Sequence, residues 1–287
     1  MSPPPRALAW AAALVLLVGS PLAAQQPSGE PAYLRDRGTG IRTSLLGTYV
    51  RQGELLVYPF FEWYADNNLE YKPSELGYGA ANTDYRGRYR ANEGILFFGY
   101  GISNSVSIEF EAAVISAELE TSPDDTSSGK PAKVSESGLG DVEGQIRWRF
   151  QHETDTRPEL FTYFEAVLPL QKDKHIIGTQ EWEYAFGIGL VRGYRWGTMT
   201  FRVAGEYVPA ANPQFDAGEY AIEWLRRLSP KWRVVAAIEG SQVDEVSFIG
   251  ETQWSPSRRV MFKFNAGVAL TPNATDFAPE IGVLFSF

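Results

Sequence analysis

The chain has no cysteine and only two histidines, His152 and His175. The first absence excludes a disulfide framework, a thiol catalyst and a cysteine-ligated metal. The second leaves little material for nucleophilic catalysis of the Ser-His kind. Past residue 24 there is no apolar run near the roughly 20 residues that a membrane-crossing helix needs. Basic residues are also in the minority, with 26 Lys and Arg against 35 Asp and Glu and a formal net charge of −9. Nucleic acid is therefore excluded as a partner, because its phosphates attract Lys and Arg.

What is there begins with "MSPPPRALAWAAALVLLVGSPLAA". Arg6 precedes an apolar run from Ala7 to Val18, which Gly19, Ser20 and Pro21 break before the small residues Ala23 and Ala24. This is the plan of a secretory signal peptide over residues 1–24, and the run is too short for a spanning anchor. An exported chain without cysteine or spanning helices, 14% aromatic, is either a soluble periplasmic β protein or a closed transmembrane barrel. The barrel is the only non-helical structure that satisfies every backbone group in lipid.

The apolar pattern has period two. Val106, Ile108, Phe110, Ala112 and Val114 form one stripe, opposed by Ser107, Glu109 and Glu111. Trp182, Tyr184, Phe186, Ile188 and Leu190 form another, and Val260, Phe262, Phe264, Ala266 and Val268 a third. Alternation of this kind is a strand with two unlike faces. Aromatics gather at stripe ends, Trp182 with Tyr184 and Tyr194 with Trp196, as interfacial girdles require. The opposite face carries carboxylates near strand midpoints, among them Glu165, Glu206, Glu223, Glu239 and Glu251. That combination favours lipid outside and a crowded wet lumen inside.

The expected fold is all-β, an antiparallel up-and-down transmembrane barrel of about twelve strands. They are placed near 54–65, 86–101, 105–120, 138–151, 159–171, 181–195, 199–209, 216–227, 231–242, 245–255, 259–270 and 276–287. Tight joints such as "GISNSV" and "RLSPKW" alternate with longer polar ones such as "SPDDTSSGKPAKVSES". Short turns on one rim and longer loops on the other is the bacterial outer-membrane arrangement, with the short rim periplasmic. An even count puts both ends of the barrel on that rim. Residues 53–287 are read as the barrel. Residues 25–52 are read as a periplasmic tail or a segment tucked into the lumen, with a strand of its own as the alternative. In the last strand Ile281, Val283, Phe285 and Phe287 alternate with Glu280, Gly282, Leu284 and Ser286. Phe285 and Phe287 are expected to serve as the signal by which the barrel-assembly machinery recognises the chain.

The stretch "SGLGDVEGQIRWRF" from Ser137 to Phe150 resembles a segment recurring in a family of outer-membrane transporters linked to meta-pathway phenol degradation. Members carry a Gly-Leu-Gly-Asp turn entering a strand that ends in Tyr or Trp, Arg, Phe. Here Gly138, Leu139, Gly140 and Asp141 match the first part, and Trp148, Arg149 and Phe150 the second. The resemblance implies an uptake pore for a small, aromatic solute. Residues 30–80 match nothing in that family.

The inward face is expected to hold Glu109, Glu111, Asp141, Glu143, Glu165, Glu183, Glu206, Glu223, Glu239, Glu251 and Glu280. Fewer bases face them: Arg147, Arg149, Arg202, Arg233 and Lys263. Same-face carboxylates at i and i+2, such as Glu109 with Glu111, are spaced as in inverting glycosidases. A polar mesh with the arginines is the better reading, since the pairs are spread around the wall. "SPDDTSSG", with Asp124 and Asp125, matches no calcium loop, and the glycine runs miss phosphate-loop spacing. Neither metal nor cofactor is expected. Lys72, Lys130, Lys133, Lys172 and Lys174 in the outer loops are candidates for lipopolysaccharide phosphates, or simply keep those loops soluble. Three functions remain from sequence: a pore for a small cationic or neutral solute, a plugged barrel serving as a structural or interaction platform, and an outer-membrane hydrolase as the weakest.

Overall fold

The structure is a computed structural model that describes residues 32–79, 83–209, 214–241 and 245–287. The expected export segment, residues 1–24, lies outside the described residues. A short helix α1 (Ala32–Arg37) and two two-residue strands, β1 (Arg42–Thr43) and β2 (Thr48–Tyr49), precede the barrel. Twelve long strands follow: β3 (Leu55–Tyr71), β4 (Tyr85–Gly101), β5 (Val106–Glu120), β6 (Lys133–Gln151), β7 (Glu159–Val167) and β8 (Glu183–Tyr194), then β9 (Gly197–Val208), β10 (Gln214–Arg227), β11 (Trp232–Gly240), β12 (Val246–Trp254), β13 (Val260–Ala269) and β14 (Phe277–Ser286).

Each strand pairs antiparallel with its sequence neighbours, and β14 closes the ring on β3, with Glu280 opposite Glu62 and Phe285 opposite Val57. A closed ring has no free edge strand, so each strand is paired on both sides. Phe61, Ile108, Phe110, Trp148, Ile188, Val203 and Ile281 stand exposed on the outside. An apolar belt of that extent is not stable against water, and it faces lipid. Aromatic pairs mark both borders of the belt. Trp182 stacks on Tyr184 at one rim, and Tyr194 on Trp196 and Trp232 on Trp254 at the other. The chain is a transmembrane barrel, with the twelve strands that the alternation predicts.

Four expectations change in detail. β3 runs to Tyr71 rather than 65, because a bulge between Asp66 and Leu69 breaks the alternation that marks a strand. β6 starts at Lys133 rather than 138, and β7 ends at Val167 rather than 171. The Gly138–Asp141 stretch is a bulge inside β6, not a turn entering it. Ala112 faces Val142 and Val114 faces Leu139, so Gly140 and Asp141 together oppose Ala113. Gly138 takes a φ of 145°, open to glycine and few other residues.

Residues 32–52 add no strand to the ring. β1 and β2 pair antiparallel as a separate two-stranded sheet, closed by Ser44 and Gly47, whose Ser44 amide donates to the Gly47 carbonyl at 3.2 Å. This hairpin lies inside the barrel. Ile41 and Val50 are buried against Leu56, Tyr58, Met261 and Leu284 of the inner wall. Leu34 and Tyr49 are buried against Phe161, Tyr163 and Val191 on the other side. Full burial of one such side chain is worth about 1.5–3 kcal/mol, so the segment is firmly seated.

Candidate functional site

Three cavities run along the lumen. The one nearest the hairpin is about 350 Å³, the middle one about 590 Å³, and the one at the long-loop rim about 470 Å³. Leu45, Phe60, Glu111, Glu143 and Glu280 line both of the first two and so form the neck between them. Tyr64, Glu93 and Thr275 line both the middle and the outer cavity. The neck draws three carboxyls from β14, β5 and β6, a ring from β3, and Leu45 from the hairpin tip. Strand pairing brings these together, since β14, β3, β4, β5 and β6 are consecutive around the ring.

Charge is distributed unevenly. The lower cavity has Glu109, Glu111, Glu143, Glu165, Glu219 and Glu280 against Arg147, Arg202 and Lys263. Several of these pair: Arg147 Nε lies 3.5 Å from Glu109, and Arg202 is ion-paired with Glu219. Lys263 Nζ sits 3.1 Å from buried Glu251 and 4.9 Å over the Tyr58 ring. The middle cavity differs. Glu62, Glu93, Glu111, Asp141, Glu143, Glu239 and Glu280 line it, and among the described residues no Lys or Arg does. Nor, among those residues, do three acidic or imidazole side chains converge closely enough to hold a metal ion. Low-dielectric walls focus whatever net field such a group carries.

The remaining residues singled out from sequence are spread along the wall. Glu223 and Arg233 meet the N-terminal segment, as does Arg149, whose guanidinium lies 3.6 Å from the Tyr49 ring centre and donates to the Val50 carbonyl at 3.3 Å. Asp141 accepts from the Thr179 amide at 2.7 Å, and Glu183 from the Thr179 hydroxyl at 2.7 Å. Glu206 and Glu239 stand near the long-loop ends of β9 and β11 rather than at strand midpoints. Phe285 and Phe287 continue the outer stripe, with ring centres 6.4 Å apart.

Sequence reasoning missed Glu62, Glu93 and Glu219. In β3 both stripes are bulky, Leu55, Phe61 and Trp63 on one and Leu56, Tyr58 and Phe60 on the other, so alternation does not say which faces in. Glu93 shares its face with Ile95 and Phe97, which hides it in the same way. Glu219 has the parity of Glu223, and that signal was available. Glu219 is one of the two residues, with Gly218, inside the bulge between Ala217 and Tyr220.

The loop between β7 and β8 folds into the outer mouth. Ile177 is buried among Ala91, Ile95, Ala113, Ile115 and Ala117. His175 donates its amide to Glu136 at 3.0 Å, with Nδ1 2.9 Å from the Glu75 carbonyl. His152 Nε2 lies 2.9 Å from Ser105 Oγ, but that pair sits at the opposite rim, away from the cavities. Beside the mouth, Asp125 accepts from Tyr71, Tyr78 and the Ser127 amide. Burial pushes its carboxyl upward, but those hydrogen bonds outweigh burial and hold it below the usual range.

Against known proteins, no family model and no curated protein matches the chain. Solved structures do. An outer-membrane channel from Pseudomonas putida F1 superposes with a TM-score of 0.58 at 11% identity, covering 84% of this chain and 98% of that one. The fold is that of a bacterial outer-membrane barrel. The translocator domain of the autotransporter NalP from Neisseria meningitidis follows at 0.50 and 8% identity, covering 82% and 89%. The KdgM porin matches at 0.50 and 7%, covering 80% and 99%. At these identities the likeness is one of architecture, and the lumen has to be argued from its own side chains.

Proposed function

We propose that this outer-membrane barrel is a pore for small cationic or uncharged solutes. The middle cavity carries the reading. Its seven carboxyls, three of them shared with the neck above Arg147, Arg202 and Lys263, oppose entry of anions and favour cations, and the Phe60 and Tyr64 side chains beside them suit a solute with an aromatic or alkyl body. The resemblance of the Ser137–Phe150 stretch to transporters linked to phenol degradation supports an aromatic solute in the same way.

The test is a reversal potential in planar bilayers under a KCl gradient. Openings of the wild type are expected to reverse on the cation-selective side, and Glu111→Gln with Glu143→Gln should move the value toward zero. An anion-selective wild type overturns the proposal. The second reading, a permanently plugged barrel serving as a structural platform, is favoured by one observation: the hairpin filling the lumen at the short-turn rim.

A further inference from the structure

The geometry points to residues 34–51 as a gate: a folded unit that closes the periplasmic half of the lumen and leaves it as one body. This rests on the pore reading above and adds the regulation of that same neck.

Four observations carry it. First, the ring from β3 to β14 closes without the segment, and among the described residues β1 and β2 pair only with each other. Departure therefore breaks no ladder of the barrel. Second, the wall groups that hold the segment also have partners of their own in the wall. Glu223 accepts from Leu46 N at 3.0 Å and also from the Thr200 hydroxyl at 3.2 Å. Arg147 donates to the Leu46 carbonyl and faces Glu109. Arg233 donates to the Arg37 carbonyl and to Ser255. Asp36 is the exception, since its 3.7 Å ion pair with Arg226 opens when the segment goes, but Arg226 also donates to the Arg195 carbonyl, and the penalty for opening the other contacts is reduced.

Third, the segment is tied to itself. Arg51 reaches across its base to the Thr39 carbonyl at 3.0 Å and the Gly40 carbonyl at 2.5 Å, so both ends of the hairpin move together. Gly53, with a φ of 75°, joins it to β3 as the hinge, and Glu54 beside it accepts from the Arg51 amide at 3.0 Å across the joint and from the Ser286 hydroxyl on the barrel side. Fourth, the tip is placed to act. Leu45 is part of the neck between the lower and middle cavities. The wall behind the segment is mixed: Arg147, Arg149, Arg233 and Glu223 stand beside Leu56, Phe161, Met261 and Leu284, and water can solvate the charged part once it is uncovered.

The chain's lack of cysteine makes the test direct. A Cβ added at Gly40 would lie 3.2 Å from the carbonyl oxygen and 3.3 Å from the Cα of Arg258 in the β12–β13 turn, so the two backbones touch there, and Gly40→Cys with Arg258→Cys is the pair to oxidise once a non-reducing gel shows that the disulfide forms. The full-length double variant is compared in bilayers in KCl, oxidised and reduced. The oxidised form is expected to be silent, and reduction should restore openings. A second variant, Ile41→Asn with Val50→Asn, loosens the seat without touching the barrel wall and should raise the open fraction about tenfold or more. Equal conductance in the oxidised and reduced forms would overturn the gate while leaving the pore. Silence of the reduced and loosened forms alike, with barrels that shift on heating in gels, would overturn the pore itself.

Discussion

The backbone amide of Leu46 donates to a carboxylate oxygen of Glu223 at 3.0 Å, across 177 positions of sequence. Glu223 is fully buried, on the inner face of β10, and Leu46 is at the tip of the N-terminal hairpin. Together with the bond from Arg147 to the Leu46 carbonyl, it holds the tip at its depth in the lumen.

Replacing Glu223 with Ala is expected to leave that amide unpaired, at a cost of about 1–3 kcal/mol. Hydrogen exchange at Leu46 should then speed up roughly ten- to hundredfold, while amides of β3 to β14 keep their protection. Glu223→Gln retains an acceptor and should lose much less. Unchanged protection at Leu46 in the Ala variant would mean that the apolar contacts of Ile41 and Val50 hold the tip alone.

Asp36 offers a pH handle on the same segment. Its carboxyl accepts from the Arg227 amide and the Thr198 hydroxyl, each at 3.1 Å, with Arg226 3.7 Å away. Burial raises it above the ordinary carboxylate value in spite of those partners. The seated segment therefore holds this proton to higher pH than the free segment does. Its contribution to seating is greatest below the ordinary value of 3.8 and declines as pH rises through the shifted one. Protection factors of the α1 amides, corrected for intrinsic exchange, are expected to fall with rising pH across that window. Asp36→Asn should flatten the dependence; if it persists unchanged, other groups carry it.

The wall makes its own prediction. A side chain at Gly189 would strike the Phe161 ring, and one at Gly187 the Tyr163 ring, whereas Gly94 opens on free space. Both rings lie on the buried inner face, so neither can swing away freely. Gly189→Val is expected to destabilise the barrel by about 1–3 kcal/mol through overpacking. Gly94→Ala should be close to neutral. Urea unfolding from lipid vesicles distinguishes the two, and equal stability of both variants would show that the rings repack.

Period-two alternation, the girdle aromatics and the rhythm of short and long joints were enough to predict twelve strands. Each of those signals is local, and lipid on one side with a wet lumen on the other forces it on every strand. The same logic failed at Asp66, where a bulge of one extra residue exchanges the faces, and it missed the bulge at Gly140 and Asp141 while still turning Asp141 inward. It also failed in β3, where both faces are bulky and Glu62 passed unnoticed. Which carboxyls share a cavity is not a local matter at all. Glu111, Glu143 and Glu280 meet at one neck only because β14 closes on β3 in a particular register, and that register sets which side chains stand at the same height. The seat of the hairpin is decided in the same way, by an inner wall assembled from Phe161, Arg147, Glu223 and Met261, residues that only closure of the ring brings around it.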